Sequence, residues 1–159
     1  MNIPFAISAR TAHLIGMENF ANAEGAIVEL VKNAYDADAD TCVVVADVRE
    51  NKAESKLFII DNGSGMTDEI IIKHWMTIGT DDKLLNARSS NKKRVKSGAK
   101  GIGRFALNRL GASAEMLSFA CSELDKGYVW NVDWKKFDQA RVLSDVEANL
   151  DVITTDFLV

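Results

Sequence analysis

Glu29-Leu30-Val31-Lys32-Asn33-Ala34-Tyr35-Asp36-Ala37 is the stretch that decides how this chain of 159 residues is read. It lies within residues 18–37, where Ile27, Leu30, Val31 and Ala34 recur at helical spacing and only Gly25 lowers helix propensity. At about 100° per residue, Asn33 and Asp36 fall within about 40° of the direction of Glu29, and the apolar positions fall on the opposite side. Such a helix buries one face and presents a carboxylate, an amide and a second carboxylate on the other. A plain solvated helix face has the same pattern, so chemistry needs support from elsewhere in the chain.

Two further stretches supply it. Thr41–Val48 and Lys56–Ile60 are rich in β-branched and apolar residues, flank a polar loop around Glu50–Ser55, and are expected to be neighbouring strands. The second runs into Ile59-Ile60-Asp61-Asn62-Gly63-Ser64-Gly65-Met66, which predicts a buried strand ending in a carboxylate beside glycines. Asp61 there can accept a hydrogen bond from a ligand edge, and the glycines allow close approach to the backbone; an ordinary Asn-Gly turn is the plainer reading. A short helix capped by Thr67 should follow and end near Ile78-Gly79. Then comes Gly98-Ala99-Lys100-Gly101-Ile102-Gly103, opening a helix from Gly103 to Leu110 that Gly111 stops. Glycines ahead of a helix start leave amides free for an anion, although no Gly-Lys-Ser/Thr completes a Walker pattern. Residues 114–122 and 127–133 predict a hairpin across Asp125-Lys126-Gly127.

Composition bounds the rest. With 47% apolar and 26% charged residues, the chain has the makeup of a single globular domain and lies far from the disordered classes. No run approaches the roughly 18 apolar residues of a membrane span, and the start lacks the pattern of an export leader, so a soluble, cytoplasmic protein with no membrane partner is expected. Cys42 and Cys121 lie in apolar runs, read as buried free thiols, and exclude a disulfide framework or a paired Cys/His metal site. The net charge of −4 conceals an asymmetry: Lys83, Arg88, Lys92, Lys93, Arg94, Lys96, Lys100 and Arg104 are all basic, with no acid between them. Within this region 80–100 has little apolar periodicity and reads as a long mobile loop.

In this order and spacing, the Glu29–Ala37, Asp61–Met66 and Gly98–Gly103 stretches closely resemble the nucleotide-binding boxes of the GHKL superfamily, which joins gyrase-type ATPases, heat-shock chaperones, sensor histidine kinases and MutL-type repair proteins. The resemblance covers about residues 10–133. It implies an α/β fold, an α+β two-layer sandwich of the Bergerat ATP-binding type, with a mixed sheet and helices on one face. Carried over residue by residue, it assigns Asn33 to magnesium, Asp61 to the adenine amino group, Gly65 and Met66 to the adenine pocket, and Gly98, Lys100, Gly101, Ile102 and Gly103 to the phosphates, with Asp36 on the same polar stripe. Thr80 and Lys83 resemble the start of a nucleotide lid over 80–100, with Asp81 replacing the usual hydroxyl residue.

The resemblance further implies ATP and Mg²⁺ as cofactors and slow hydrolysis, with Glu29 one turn before Asn33 as the base acting on water. The box is closer to the chaperone and MutL-type versions than to kinases. A histidine-kinase ATP domain is the alternative, weakened because only His13 and His74 exist and residues 1–17 are too short for a dimerisation hairpin. A nucleic-acid module built on 83–104 is a third reading; that segment holds no aromatic residue for base stacking, so nucleic acid is expected only through downstream regions. An ATP-dependent homodimer through the amino-terminal region is expected by the same resemblance. The tail Asp151–Val159 does not clearly supply the family's next strand, which reads residues 1–159 as a single ATP-binding domain forming the amino-terminal part of a longer protein.

Overall fold

The computed structural model describes residues 3–79, 87–97 and 102–154, with the backbone alone at 12, 13, 15 and 16. The helix expected over 18–37 starts later, at Ala23, and a further helix precedes it. Helix α1 spans Ala9–Asn19, capped by Ser8, whose Oγ accepts from the Thr11 amide. Helix α2 spans Ala23–Asp36, and the Asn22 carboxamide accepts from the Gly25 amide at its start. Asn22 is a preferred N-cap residue, and its extended backbone breaks the path at that point.

Strands β1 (Cys42–Asp47) and β2 (Lys56–Asp61) form an antiparallel ladder that pairs Cys42 with Asp61 and Val44 with Ile59. A short helix α3 (Asp68–Ile70) is capped by Thr67 and passes into a π-helical turn over Ile71–Trp75. After a 3₁₀ turn at Gly103–Phe105 come α4 (Ala106–Leu110), β3 (Ser113–Ser118), β4 (Lys126–Asp133), α5 (Lys135–Gln139) and β5 (Asn149–Thr154). The second sheet has the order β3-β4-β5, antiparallel throughout.

The architecture is the expected α/β class, helices layered on sheet. The sheet itself differs from the mixed one anticipated: among the described residues every ladder is antiparallel, and β1-β2 is hydrogen-bonded separately from β3-β4-β5. The tail does supply a strand, because Leu150 and Val152 face Trp130 and Tyr128 across β5-β4.

The core lies between β4 and the helices. Tyr128, Trp130 and Val132 alternate inward along β4, as a half-buried strand requires, and meet Leu30, Ile71, Phe105, Ala106 and Phe137. On α2 the buried apolar positions are Ala26, Leu30 and Ala34, one helical ridge; Val31, placed in the core by periodicity, is exposed. β2 is likewise not the buried strand expected: Phe58 and Ile60 are exposed, as are Val43 and Val45 opposite them. The thiols correct the same way, with Cys42 half-buried and Cys121 exposed.

Candidate nucleotide-binding site

Glu29 and Asn33 sit half-buried on α2, one turn apart. The turn at Gly103 comes down directly on them: a Cβ added at Gly103 would lie 3.2 Å from Glu29 Oε1 and 3.5 Å from Asn33 Nδ2. The helical turn that begins there has no side-chain cap, an arrangement that turns first-turn amides toward an anion. The first and third sequence boxes therefore meet at one spot, with Ile102 half-buried beside it. Lys32 approaches Glu29 Oε2 at 3.8 Å, a loose exposed pairing.

The second box joins from the other end of α2. Asp61 closes β2, and its Oδ1 accepts from the Gly63 amide at 2.8 Å. The turn is fastened on both sides: the Ser64 amide donates to Ala37 O just past α2 (2.8 Å), and Cys121 N donates to Ser64 O (2.9 Å). Asn62 Oδ1 accepts from the amides of Asp40 and Thr41, both at 2.9 Å. Gly65 is required here by conformation and by space, since its φ is +65° and a Cβ would lie 2.0 Å from Phe119 O. The next amide, that of Met66, donates to Ser118 Oγ at 2.7 Å. The Asp61–Met66 turn is thus a rigid bridge between the C-terminal end of α2 and the end of β3.

Asp36 lies on the Glu29–Asn33 stripe but is buried, and its Oδ1 accepts from the Ser97 amide (2.9 Å) and hydroxyl (3.3 Å). It anchors the incoming segment. Of the remaining sequence assignments, Thr80, Lys83, Gly98, Lys100 and Gly101 lie outside the described residues, as do 80–86 and 98–100 of the expected lid.

The rest of that segment, 87–97, is not the unattached loop its polar composition suggested. It folds back through an Arg88–Val95 bridge and docks on the end of α2. Asp38, at φ +65°, accepts from the amides of Asn91 (2.8 Å) and Lys92 (3.2 Å). Lys92 pairs with Asp40. Arg94 Nη1 donates to Tyr35 O (3.3 Å) and Ala39 O (2.7 Å), and its guanidinium stacks 4.7 Å over the Tyr35 ring. A cation on the last carbonyls of a helix opposes the negative end of its dipole. Burial pushes the Asp38 carboxyl up, but the Ser89 hydroxyl, the two amides and the Arg94 charge outweigh it and hold it below the ordinary carboxylate value. Arg104, counted with the basic segment, is buried beneath Trp75 and donates to His74 O at 3.1 Å; burial lowers it to about 10. Sequence reasoning missed this anchoring role for Asp38, Arg94 and Arg104. The Asp36-Ala37-Asp38-Ala39-Asp40 alternation at a helix end was the available signal.

Comparison with known families decides what this arrangement belongs to. Residues 21–156 match the model of the histidine kinase-, DNA gyrase B- and HSP90-like ATPases. The chain belongs to that ATPase family. The match runs from the cap of α2 to the end of β5 and so includes all three boxes, which supports ATP as the ligand of the site. A search of curated proteins finds no match. Among the described residues no helix is long and apolar enough to cross a membrane.

Proposed function

We propose that this domain binds Mg-ATP between α2, the Asp61–Met66 turn and the Gly103 turn, and hydrolyses it slowly as a conformational switch of the chaperone and MutL-like kind. The observation that carries this reading is the contact of Gly103 with Glu29 and Asn33, which puts a carboxylate, an amide and uncapped backbone at one point. Asp61 Oδ1 is committed to its own turn, leaving Oδ2 for the adenine amino group. Glu29 is the base that orients and deprotonates water at the γ-phosphate.

The donor chemistry fits magnesium. Asn33 offers a hard carbonyl oxygen, and among the described residues no cluster of three or more His, Cys, Asp or Glu forms a protein cage. Mg²⁺ is characteristically held by few side chains together with substrate phosphates, so Asn33 would hold the ion with the triphosphate, and the ion would supply charge neutralisation there. Partner association through the amino-terminal region is supported by Ile3, Phe5 and Ile7, which alternate along an exposed arm joined to the domain by the Leu143 N to Ile7 O hydrogen bond.

Calorimetry and phosphate release test the reading together. Asp61→Asn should weaken Mg-ATP binding severely, because an amide presents a donor to the adenine amino edge. Asn33→Ala should lose the magnesium-dependent part of binding. Glu29→Ala should keep ATP and lose about 10²–10⁴ in hydrolysis rate. Wild-type hydrolysis in Glu29→Ala would refute the mechanism, and unchanged affinity in Asp61→Asn would remove that residue from the pocket.

A further inference from the structure

Ser118 puts a hydroxyl where the sheet calls for an apolar side chain. Burial alternates along β3: Ala114 and Met116 are turned inward and Ser118 with them, while Ser113, Glu115 and Leu117 are exposed. Ser118 is 7% exposed and lies across the ladder from Tyr128, which is wholly buried. Burying a hydroxyl costs free energy unless it is hydrogen-bonded. Both hydroxyl bonds go to one residue: Oγ accepts from the Met66 amide at 2.7 Å and donates to the Met66 carbonyl at 3.2 Å.

A side chain thereby stands in for a neighbouring strand, fixing the amide and the carbonyl of Met66 together. The segment that leaves β3 continues the contact, since Phe119 O excludes any side chain at Gly65 and Cys121 N donates to Ser64 O. The amides of Asn62, Gly63 and Ser64 are likewise engaged within the protein, on Thr41 O, Asp61 Oδ1 and Ala37 O. With these donors turned inward, the turn meets a ligand with the Asp61 carboxylate, which only accepts. Such an edge suits an amino group and is mismatched to a carbonyl. A mismatch of that kind is rejected strongly only where the site cannot rearrange to pair it.

We propose that Ser118 is a positioning residue for base selection: by holding both polar groups of Met66, it keeps the Asp61–Met66 turn in the one arrangement that takes an amino-bearing purine and refuses an oxo-bearing one. This role rests on the nucleotide reading above and adds to it a residue that acts through Met66 rather than on the ligand.

ATP and inosine triphosphate (ITP) test it, because they share ribose and triphosphate and differ only in the amino or oxo group on the purine. Calorimetry in magnesium on the whole protein measures both. Wild type should prefer ATP by at least about tenfold. Ser118→Ala should cut that ratio about fivefold or more, with ATP binding weakened and ITP binding little changed. Ser118→Thr keeps the hydroxyl, in a residue that strands favour, and should hold the ratio within about twofold. Ser118→Cys has the shape of serine with a weak donor and acceptor, and takes the place of Ser118→Ala should that variant fail to fold. A loss of stability alone would lower both affinities alike and leave the ratio unmoved. Equal affinity of wild type for ATP and ITP overturns the Asp61 reading and this role with it. A wild-type preference that survives undiminished in folded Ser118→Ala or Ser118→Cys, or that falls as far in Ser118→Thr, overturns the role of Ser118 alone.

Discussion

Gly103 and Glu29 are in such close approach that a single methyl group at position 103 would stand 3.2 Å from the Glu29 carboxylate. The obstacle is the far end of a flexible side chain, so Gly103→Ala can fold by turning Glu29 aside. The displaced carboxylate and the crowded Asn33 then no longer share one point with the backbone. Melting temperature should change by only a few degrees, the shift expected for about 1 kcal/mol or less. Mg-ATP affinity should fall on the order of tenfold, or about 1.4 kcal/mol. Calorimetry on a variant with normal circular dichroism checks this, and unchanged affinity would separate Gly103 from the nucleotide.

Two glycines with left-handed backbone offer a contrast. At Gly65 a Cβ meets the Phe119 carbonyl at 2.0 Å, whereas at Gly79, φ +74°, nothing among the described residues lies within 4 Å. Both substitutions to Ala carry the strain of a positive φ, about 1 kcal/mol or somewhat more. Only Gly65→Ala must also move two backbones apart. Urea unfolding should show Gly65→Ala to be destabilised by well over 2 kcal/mol and Gly79→Ala by about half that or less. Similar losses at the two sites would mean that the Gly65–Phe119 contact carries little weight.

The site was legible where chemistry and spacing coincide within one short stretch. Glu29 and Asn33 share a helix face because of their spacing alone, and Asp61 ends a strand because Asn62 and Gly63 cannot extend it. The hairpin β3-β4 was legible as two strand-like runs, but the turn expected across Asp125-Lys126-Gly127 comes earlier, since β3 ends at Ser118 and Lys126 and Gly127 already pair with β5. What stayed hidden depends on partners distant in sequence. Arg94 reads as lid charge until the Tyr35 and Ala39 carbonyls are seen beneath it. Ile60 reads as core until it proves exposed, opposite an equally exposed Val43 in the ladder. β5 was obscured because Asp151 and Asn149 interrupt its apolar pattern, and only pairing with β4 reveals that they occupy an edge strand.

Cys42 offers a probe of the proposed adenine end of the site. It is directly opposite Asp61 in the β1-β2 ladder, so their side chains share one face. Burial, and secondarily the Asp61 charge, raise its thiol above the usual value. The thiolate is the reactive form, so alkylation of Cys42 at neutral pH should be slow and that of exposed Cys121 faster. Saturating Mg-ATP should slow Cys42 further, by about fivefold or more if Asp61 receives the base, since accessibility controls attack. Mass spectrometry of the labelled peptides measures each rate. Cys42 labelling indifferent to bound ATP would place the adenine elsewhere.

The docked segment 87–97 hangs on a carboxylate, which makes its attachment sensitive to acid. Asp38 accepts from the Asn91 and Lys92 amides, and its pKa is held below the ordinary value despite burial. Asp40, hydrogen-bonded to and paired with Lys92, is lowered as well. For a carboxylate whose folded pKa lies below its unfolded one, the stabilisation is fully present above the unfolded value, about 3.9, and disappears as pH falls through the folded value. The Asn91 and Lys92 amide resonances should therefore titrate together with a midpoint below about 3.9. Asp38→Asn gives the same opening at neutral pH without altering the backbone, because asparagine also tolerates a positive φ. An amide keeps one acceptor oxygen and turns its NH₂ on the second amide, so the segment should detach more often. Trypsin cleavage after Arg88, Lys92 and Arg94 should then accelerate on the order of tenfold, since proteolysis tracks the open population when closing is fast. Equal cleavage in Asp38→Asn and wild type would show that Arg94 and its carbonyl partners hold the segment without Asp38.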